Sequence, residues 1–237
     1  MGDDQNLDPA TQVRYASVCK KYGVTSSTTW ADIKHQVEST RNQNTRRSDI
    51  IALRSIIGNQ GAMKIPDAIR KVYDLPSIDE IKDKAEGPYL PLIFAMAFAG
   101  LRAGEVCALL ADDVKKVGDV CFIDVKQSRQ NTGRYKQPKS GQGRVVIPEW
   151  LYDLLKDYNY PEILPNSLFK WMKRRGFAPH QLRHFYATYL VRTTKNPELA
   201  RRQLRHSNLS TTLQIYVEIQ TQDELDLISQ IPNPWEA

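Results

Sequence analysis

Apolar residues recur at helical spacing through the first seventy positions of the chain. Val13, Ala16, Val18, Cys19 and Tyr22 form one stripe, which stops at Gly23. Trp30, Ile33 and Val37 form a second, after a Ser/Thr-rich start at 26–29 suited to capping. Ile50, Ile51, Leu53, Ile56 and Ile57 form a third, closed by Gly58. Ile65, Ile69, Val72 and Tyr73 suggest a fourth, with Pro66 in its first turn. Leu75-Pro76-Ser77 reads as a domain joint, dividing the chain into 1–75 and 76–237.

Beyond the joint, Ser77 and Glu80 have capping-box spacing and predict a helix start. Residues 90–100 are a buried helix by their apolar character. Gly100-Leu101-Arg102 turns from it into a further helix through Leu110. The β-branched runs 117–125 and 143–147 predict two strands. Between them, 126–142 is polar, basic and long for a hairpin loop. Helical patterns return at 150–158, 167–175, 180–193, 197–206, 210–220 and 223–231. The expected fold is mainly α with a small antiparallel β-sheet, an α+β chain in two domains.

Composition changes this picture little. Of 237 residues, 41% are hydrophobic and 25% charged, which permits a packed core and excludes global disorder. No run approaches the roughly 18 apolar residues needed to cross a bilayer. No signal peptide opens the chain, and Asn6 stands where a myristoylation signal wants Ser or Thr. The three cysteines (Cys19, Cys107, Cys121) read as reduced core residues of an intracellular protein, with no disulfide frame and no metal site.

Charge is more informative by segment than by its +6 sum. Residues 115–147 hold 8 basic and 2 acidic side chains, and 170–206 hold 10 and 1. Residues 217–237 hold no basic and 5 acidic side chains. Two concentrated basic blocks suggest a groove for a phosphate backbone. Arg46 and Arg47, at the start of the third helix, are further candidates for phosphate contact. So are Arg134, Lys136, Arg144, Lys173, Arg174, Arg175 and Arg205.

Three of the four histidines lie between 180 and 206. His180 and Arg183 are three apart, near a helix start after Pro179, where backbone N–H groups also favour an anion. Such a pair alone is a weak signal. The ordered set is stronger: Gly100-Leu101-Arg102-Ala103-Gly104-Glu105, then Pro138-Lys139-Ser140-Gly141 before a strand, then His180-Gln181-Leu182-Arg183-His184. Leu204-Arg205-His206-Ser207, Thr211-Thr212 and Tyr216 complete it.

In this order and spacing the chain resembles the tyrosine recombinase (phage-integrase) family over roughly 76–220. Residues 1–75 resemble that family's helical core-binding domain only in helical content and position. The resemblance implies roles. Tyr216 attacks the scissile phosphate and forms a 3′-phosphotyrosyl link. Arg102 and Arg183 hold the non-bridging oxygens. Lys139 protonates the departing 5′-oxygen, with Lys126 and Lys136 as competitors in the same loop. His180 assists proton transfer, His206 hydrogen-bonds the phosphate, and Glu105 orients its neighbours. Arg205 stands where the family usually has Gly before the histidine. The implied partners are double-stranded DNA, further copies of the chain in a tetrameric synapse, and accessory DNA-bending proteins. The acidic tail 217–237 is expected to contact a neighbouring protomer.

The chemistry fits these residue types. A phosphodiester is already negative, and planar guanidiniums give permanent bidentate donors that neutralise it. Tyrosine, with a pKa near 10, needs help to lose its proton. A covalent aryl phosphate conserves the bond for religation, so no cofactor and no metal is expected. Two rivals stay open from sequence: a type IB topoisomerase-like relaxing enzyme, and a non-catalytic DNA-binding protein with the same fold. The expected location is intracellular and DNA-associated, in a prokaryotic cytoplasm or nucleoid or encoded by a virus or mobile element.

Overall fold

A computed structural model of the chain describes residues 9–69 and 74–205. It divides into two compact units, Met1–Val72 and Tyr73–Ala237. In the first, α1 (Pro9–Tyr22), α2 (Trp30–Glu38) and α3 (Gln43–Ile57) enclose a core of Val18, Tyr22, Trp30, Ile33, Val37, Ile50, Ala52 and Leu53. The α2 stripe is buried throughout, whereas Val13 and Ala16 of the α1 stripe and Ile51 of the α3 stripe stay exposed. The Asp32 carboxylate accepts the Thr29 N–H at 2.7 Å to start α2, and the Asn42 side chain accepts the Thr45 N–H at 2.9 Å to start α3.

The expected fourth helix does not form among the described residues: 62–69 carry no regular structure. Side chains of α3 take the backbone groups a helix would use. Arg54, Arg47, Gln43 and Asn44 donate to the carbonyls of Met63, Pro66, Asp67 and Ile69, and the Ile69 N–H donates to the Asn44 side chain. Met63 and Ile65 pack on the core, while Ile69 stays exposed. Val72 and Tyr73 lie outside the described residues.

The second unit starts with α4 (Ile78–Ala85), which has the predicted Ser77–Glu80 capping box. The apolar α5 (Leu90–Ala99) runs through the core. The next helix is shorter than its pattern suggests: α6 covers only Ala103–Val106, followed by a 3₁₀ turn at Ala111–Asp113. There the buried Asp113 carboxylate accepts the Leu110 N–H at 3.1 Å, a bond that competes with a continued helix. The first predicted strand is a hairpin of two, β1 (Val114–Val117) and β2 (Val120–Val125), with Gly118 at positive φ in the turn. Together with β5 (Gly143–Ile147) they form an antiparallel sheet in the order β1-β2-β5. The long polar loop contains a short ladder, β3 (Ser128–Arg129) with β4 (Tyr135–Lys136).

Four helices follow: α7 (Glu149–Lys156), α8 (Pro165–Arg174), α9 (Pro179–Thr194) and α10 (Pro197–Leu204). Proline opens the last three, where its missing N–H leaves no intrahelical bond unmade. Trp150 and Tyr189, which the helical patterns of 150–158 and 180–193 mark as core positions, are exposed. Trp150 sits beside the buried Leu151, with its ring edge-on to Phe98 (5.2 Å) and Phe94 (6.2 Å). Tyr189 stacks on Phe185 at 6.1 Å, while Tyr186 is buried. Cys107 and Cys121 are buried and Cys19 half-buried, all three as free thiols. Among the described residues no helix is long and apolar enough to cross a membrane.

Candidate active site

The α5–α6 corner is built around two glycines. Gly100 caps α5 in the left-handed region, with φ of 65°. A Cβ there would lie 2.5 Å from Tyr186 Cδ1 and 2.7 Å from Leu204 Cδ2, so glycine lets α9 and α10 close on the corner. At Gly104 a Cβ would lie 2.5 Å from Ser128 Oγ and 2.9 Å from the Arg129 carbonyl. Glycine here lets β3 close from the other side. Leu101, between them, is fully buried. The spacing Gly-Leu-Arg-x-Gly-Glu is thus a packing requirement that fixes where Arg102 and Glu105 emerge.

Glu105 is the anchor of the site and is 1% exposed. Its Oε2 accepts the Arg102 backbone N–H at 2.9 Å, which starts α6. Its Oε1 accepts Arg102 Nη1 at 3.2 Å, and Oε2 also accepts Arg205 Nη2 at 2.6 Å. The third guanidinium, Arg183, comes from the first turn of α9 and is buried. It donates to the carbonyls of Gly100 and Leu204, tying α9 to the corner and to the end of α10. Three guanidiniums thus gather at this corner, two of them on one carboxylate. Burial, and then the nearby Arg102 charge, push the Arg183 pKa down from its ordinary value to about 9. Burial also lowers that of Arg205, against the opposing pull of Glu105. A bound anion would relieve this surplus of positive charge.

The lysine loop is clamped to the same cluster. The Gly141 N–H donates to the Pro138 carbonyl at 2.8 Å, closing a turn with Lys139 and Ser140 at its centre. Arg102 Nη1 donates to Ser140 Oγ on one side of the turn. Arg205 Nη1 reaches the Gly141 carbonyl on the other, at a long 3.5 Å. Pro138 is buried and Lys139 exposed. Of its two competitors, Lys126 is ion-paired to the buried Asp113 and Lys136 lies exposed in β4.

The remaining predicted residues are dispersed. His180 is the second residue of α9 and exposed, so it and Arg183 share a helical turn but not an environment. His206 and Tyr216, and the tail 217–237, lie outside the described residues. From sequence, Arg205 is expected on DNA. Its side chain is instead 7% exposed and ion-paired to Glu105. Arg47 is bonded to the Pro66 carbonyl at 2.6 Å, and half-buried Arg46 reaches the Glu38 carbonyl at 3.4 Å. Arg144 pairs with Asp124 at 3.2 Å and lies over the Phe122 ring, and Arg175 lies over Trp171. Arg134, Lys173 and Arg174 are exposed. Ser140 carries no expected role from sequence, yet it is the loop's link to Arg102. Its place in the Pro-Lys-Ser-Gly turn was the available signal. Among the described residues no three His, Cys, Asp or Glu side chains converge as a metal site.

No protein-family profile matches the chain. It is 26% identical over 197 residues to a tyrosine recombinase of Thermosipho africanus, covering 71% of this chain and 65% of that protein. It is 25% identical over 174 residues to the tyrosine recombinase XerA of Pyrococcus horikoshii, covering 67% and 60%. The chain thus spans less than two thirds of the length of these relatives. The fold is that of the Tn1549 transposon integrase, solved with transposon right-end DNA (TM-score 0.70, 17% identity, 95% of this chain and 96% of that one). It is also that of a lambda integrase dimer bound to a core site (TM-score 0.63, 14% identity, 90% of each chain). In sequence the chain is thus similar to tyrosine recombinases, and in fold to these integrases.

Proposed function

We propose that this protein is a site-specific DNA recombinase that cuts and rejoins double-stranded DNA through a 3′-phosphotyrosyl intermediate. The observation that carries the reading is the gathering of three arginines at one corner, Arg102 and Arg205 on the buried Glu105 and Arg183 on the Gly100 and Leu204 carbonyls, with the Lys139 turn bonded to Arg102. A surplus of fixed guanidinium charge beside an exposed lysine suits a phosphodiester whose charge grows in the transition state.

In this reading the Tyr216 oxygen attacks phosphorus and its proton passes to His180. The bond to the 5′-oxygen breaks, and Lys139 supplies that oxygen's proton. Arg102, Arg183 and His206 hold the non-bridging oxygens. Reversal by a 5′-hydroxyl reseals the strand, so no cofactor is consumed. Residues 1–75 act as the core-binding domain and 76–237 as the catalytic domain. The tail 217–237 contacts a neighbouring protomer in a tetrameric synapse, which accessory bending proteins help to assemble. The exposed Arg134, Lys136, Lys173 and Arg174 track the DNA backbone. A mobile element, acting in a prokaryotic or viral setting, is the expected source.

The test is covalent trapping. Wild type and Tyr216→Phe are mixed in EDTA with sheared source DNA and with nicked duplexes of randomised sequence, then resolved on denaturing gels. Adducts from wild type alone, clustered at one sequence, are expected. Scattered adducts would favour a relaxing enzyme. Salt-sensitive binding with no adduct would favour a non-catalytic binder.

A further inference from the structure

Arg205 is costly where it stands. It ends α10 in the left-handed region (φ 52°, ψ 43°), a conformation that side chains other than glycine's disfavour. Its side chain is buried, and among the described residues its Nε has no hydrogen-bond partner. A glycine would relieve all of this. Yet the surroundings are fitted to the arginine. Its Nη2 lies 2.6 Å from Glu105 Oε2, and its Nη1 faces the Gly141 carbonyl. Gly143 has no side chain where the arginine stem passes; a Cβ there would be 3.2 Å from Arg205 Cδ. Local strain with matched neighbours points to a function beyond stability.

We infer that Arg205 is a positioning residue for the reaction. By bonding Glu105 Oε2 while the Arg102 guanidinium bonds Oε1, it fixes the carboxylate that orients that guanidinium. By reaching Gly141, it also anchors the turn that presents Lys139. One side chain therefore sets the distance between the phosphate-holding arginine and the lysine, the two groups on which leaving-group departure depends. This rests on the recombinase reading of the site. It adds that the chain uses a buried ion pair, where a glycine would leave the carboxylate half-engaged, to preorganise the corner.

The test uses a nicked duplex recovered from the trapping pool, with single-turnover adduct formation and DNA affinity measured separately. Arg205→Gly suits the backbone conformation and is expected to slow adduct formation about 10- to 100-fold while leaving affinity within about twofold. Arg205→Lys, which restores a charge on Glu105, should fall between. Low-millimolar guanidinium should speed Arg205→Gly and leave wild type unchanged. An unaltered rate in Arg205→Gly would overturn the inference. A proportional loss of affinity would make Arg205 a phosphate contact instead. Lost thermal stability with no gain from guanidinium or from Lys would make it merely structural. Absence of wild-type adducts would sink the recombinase reading itself, before any Arg205 variant is compared.

Discussion

Glu105→Gln is the sharpest perturbation of the corner. The amide keeps the shape of the side chain and an acceptor for the Arg102 N–H, but removes the charge shared by Arg102 and Arg205. Glu105 is 1% exposed and the Arg205 side chain 7%, so water replaces little of the lost interaction. At an effective dielectric near 20, two charges about 4 Å apart interact by about 4 kcal/mol. Breaking a buried pair by removing one partner costs about 3–5 kcal/mol. Arg102 is partly exposed and adds less. A loss of about 3 kcal/mol follows, and a unit of about 150–250 residues should melt about 6–12 °C lower. Differential scanning calorimetry without DNA reads this directly. Adding Arg205→Met removes the stranded cation, so the double variant should regain much of the loss. The coupling should be on the order of 1–3 kcal/mol. A Glu105→Gln change within about 0.5 kcal/mol of wild type, or no coupling to Arg205, would refute the assignment of Glu105 as the anchor.

Further outcomes follow from the same geometry. Gly100→Ala adds left-handed strain of about 1–2 kcal/mol and overpacks Tyr186 and Leu204, so the second unit should lose about 2–4 kcal/mol in urea unfolding. Gly143→Val should displace the Arg205 stem and reproduce the slow adduct formation of Arg205→Gly, with DNA affinity again unchanged. Sulfate should raise the melting temperature at pH 7 by binding the guanidinium cluster, and less so for Arg183→Lys. The sign with pH follows from the lowered Arg183 pKa. The folded state sheds this proton near pH 9, whereas the unfolded chain keeps it to a much higher pH. The charged form therefore costs stability below pH 9, a cost a bound anion offsets, and the sulfate effect should weaken as pH rises through 9. A sulfate effect independent of pH and of residue 183 would point to general salting.

What was legible in the sequence is what local chemistry dictates. The helices α1, α2 and α3 and the Ser77–Glu80 cap depend on nearest neighbours, and the structure has them in place. The order Gly-Leu-Arg-x-Gly-Glu is legible because each glycine answers a close approach that any side chain would block. The failures are of another kind. Ile65 and Ile69 have helical spacing, but α3 claims the backbone around them. Val117 and Val120 read as one strand because β-branched residues flank Gly118 on both sides, and only its positive φ reveals the turn. Trp150 neighbours the core positions Leu151 and Leu155, and a stripe one residue out of phase leaves its side chain about half exposed.

Arg205 is the instructive case, because its identity suggests a surface cation and its burial is decided elsewhere. Nothing in the local run Gln203-Leu204-Arg205 announces a left-handed residue. The partners that hold its side chain lie about a hundred residues upstream, at Glu105, and about sixty, at Gly141 and Gly143. Charge along the chain marks where the arginines cluster, but it cannot separate the cations left open to a ligand from those that brace the site. That distinction depends on a buried counterion. Glu105 supplies it, engaging Arg102 at the mouth of the corner and Arg205 behind it, while Arg183 is held by backbone carbonyls instead. Three arginines in one cluster therefore have three mechanical situations. Each predicts its own response to substitution: one partly exposed and facing the lysine turn, one locked to the helix frame, and one balanced on the shared carboxylate.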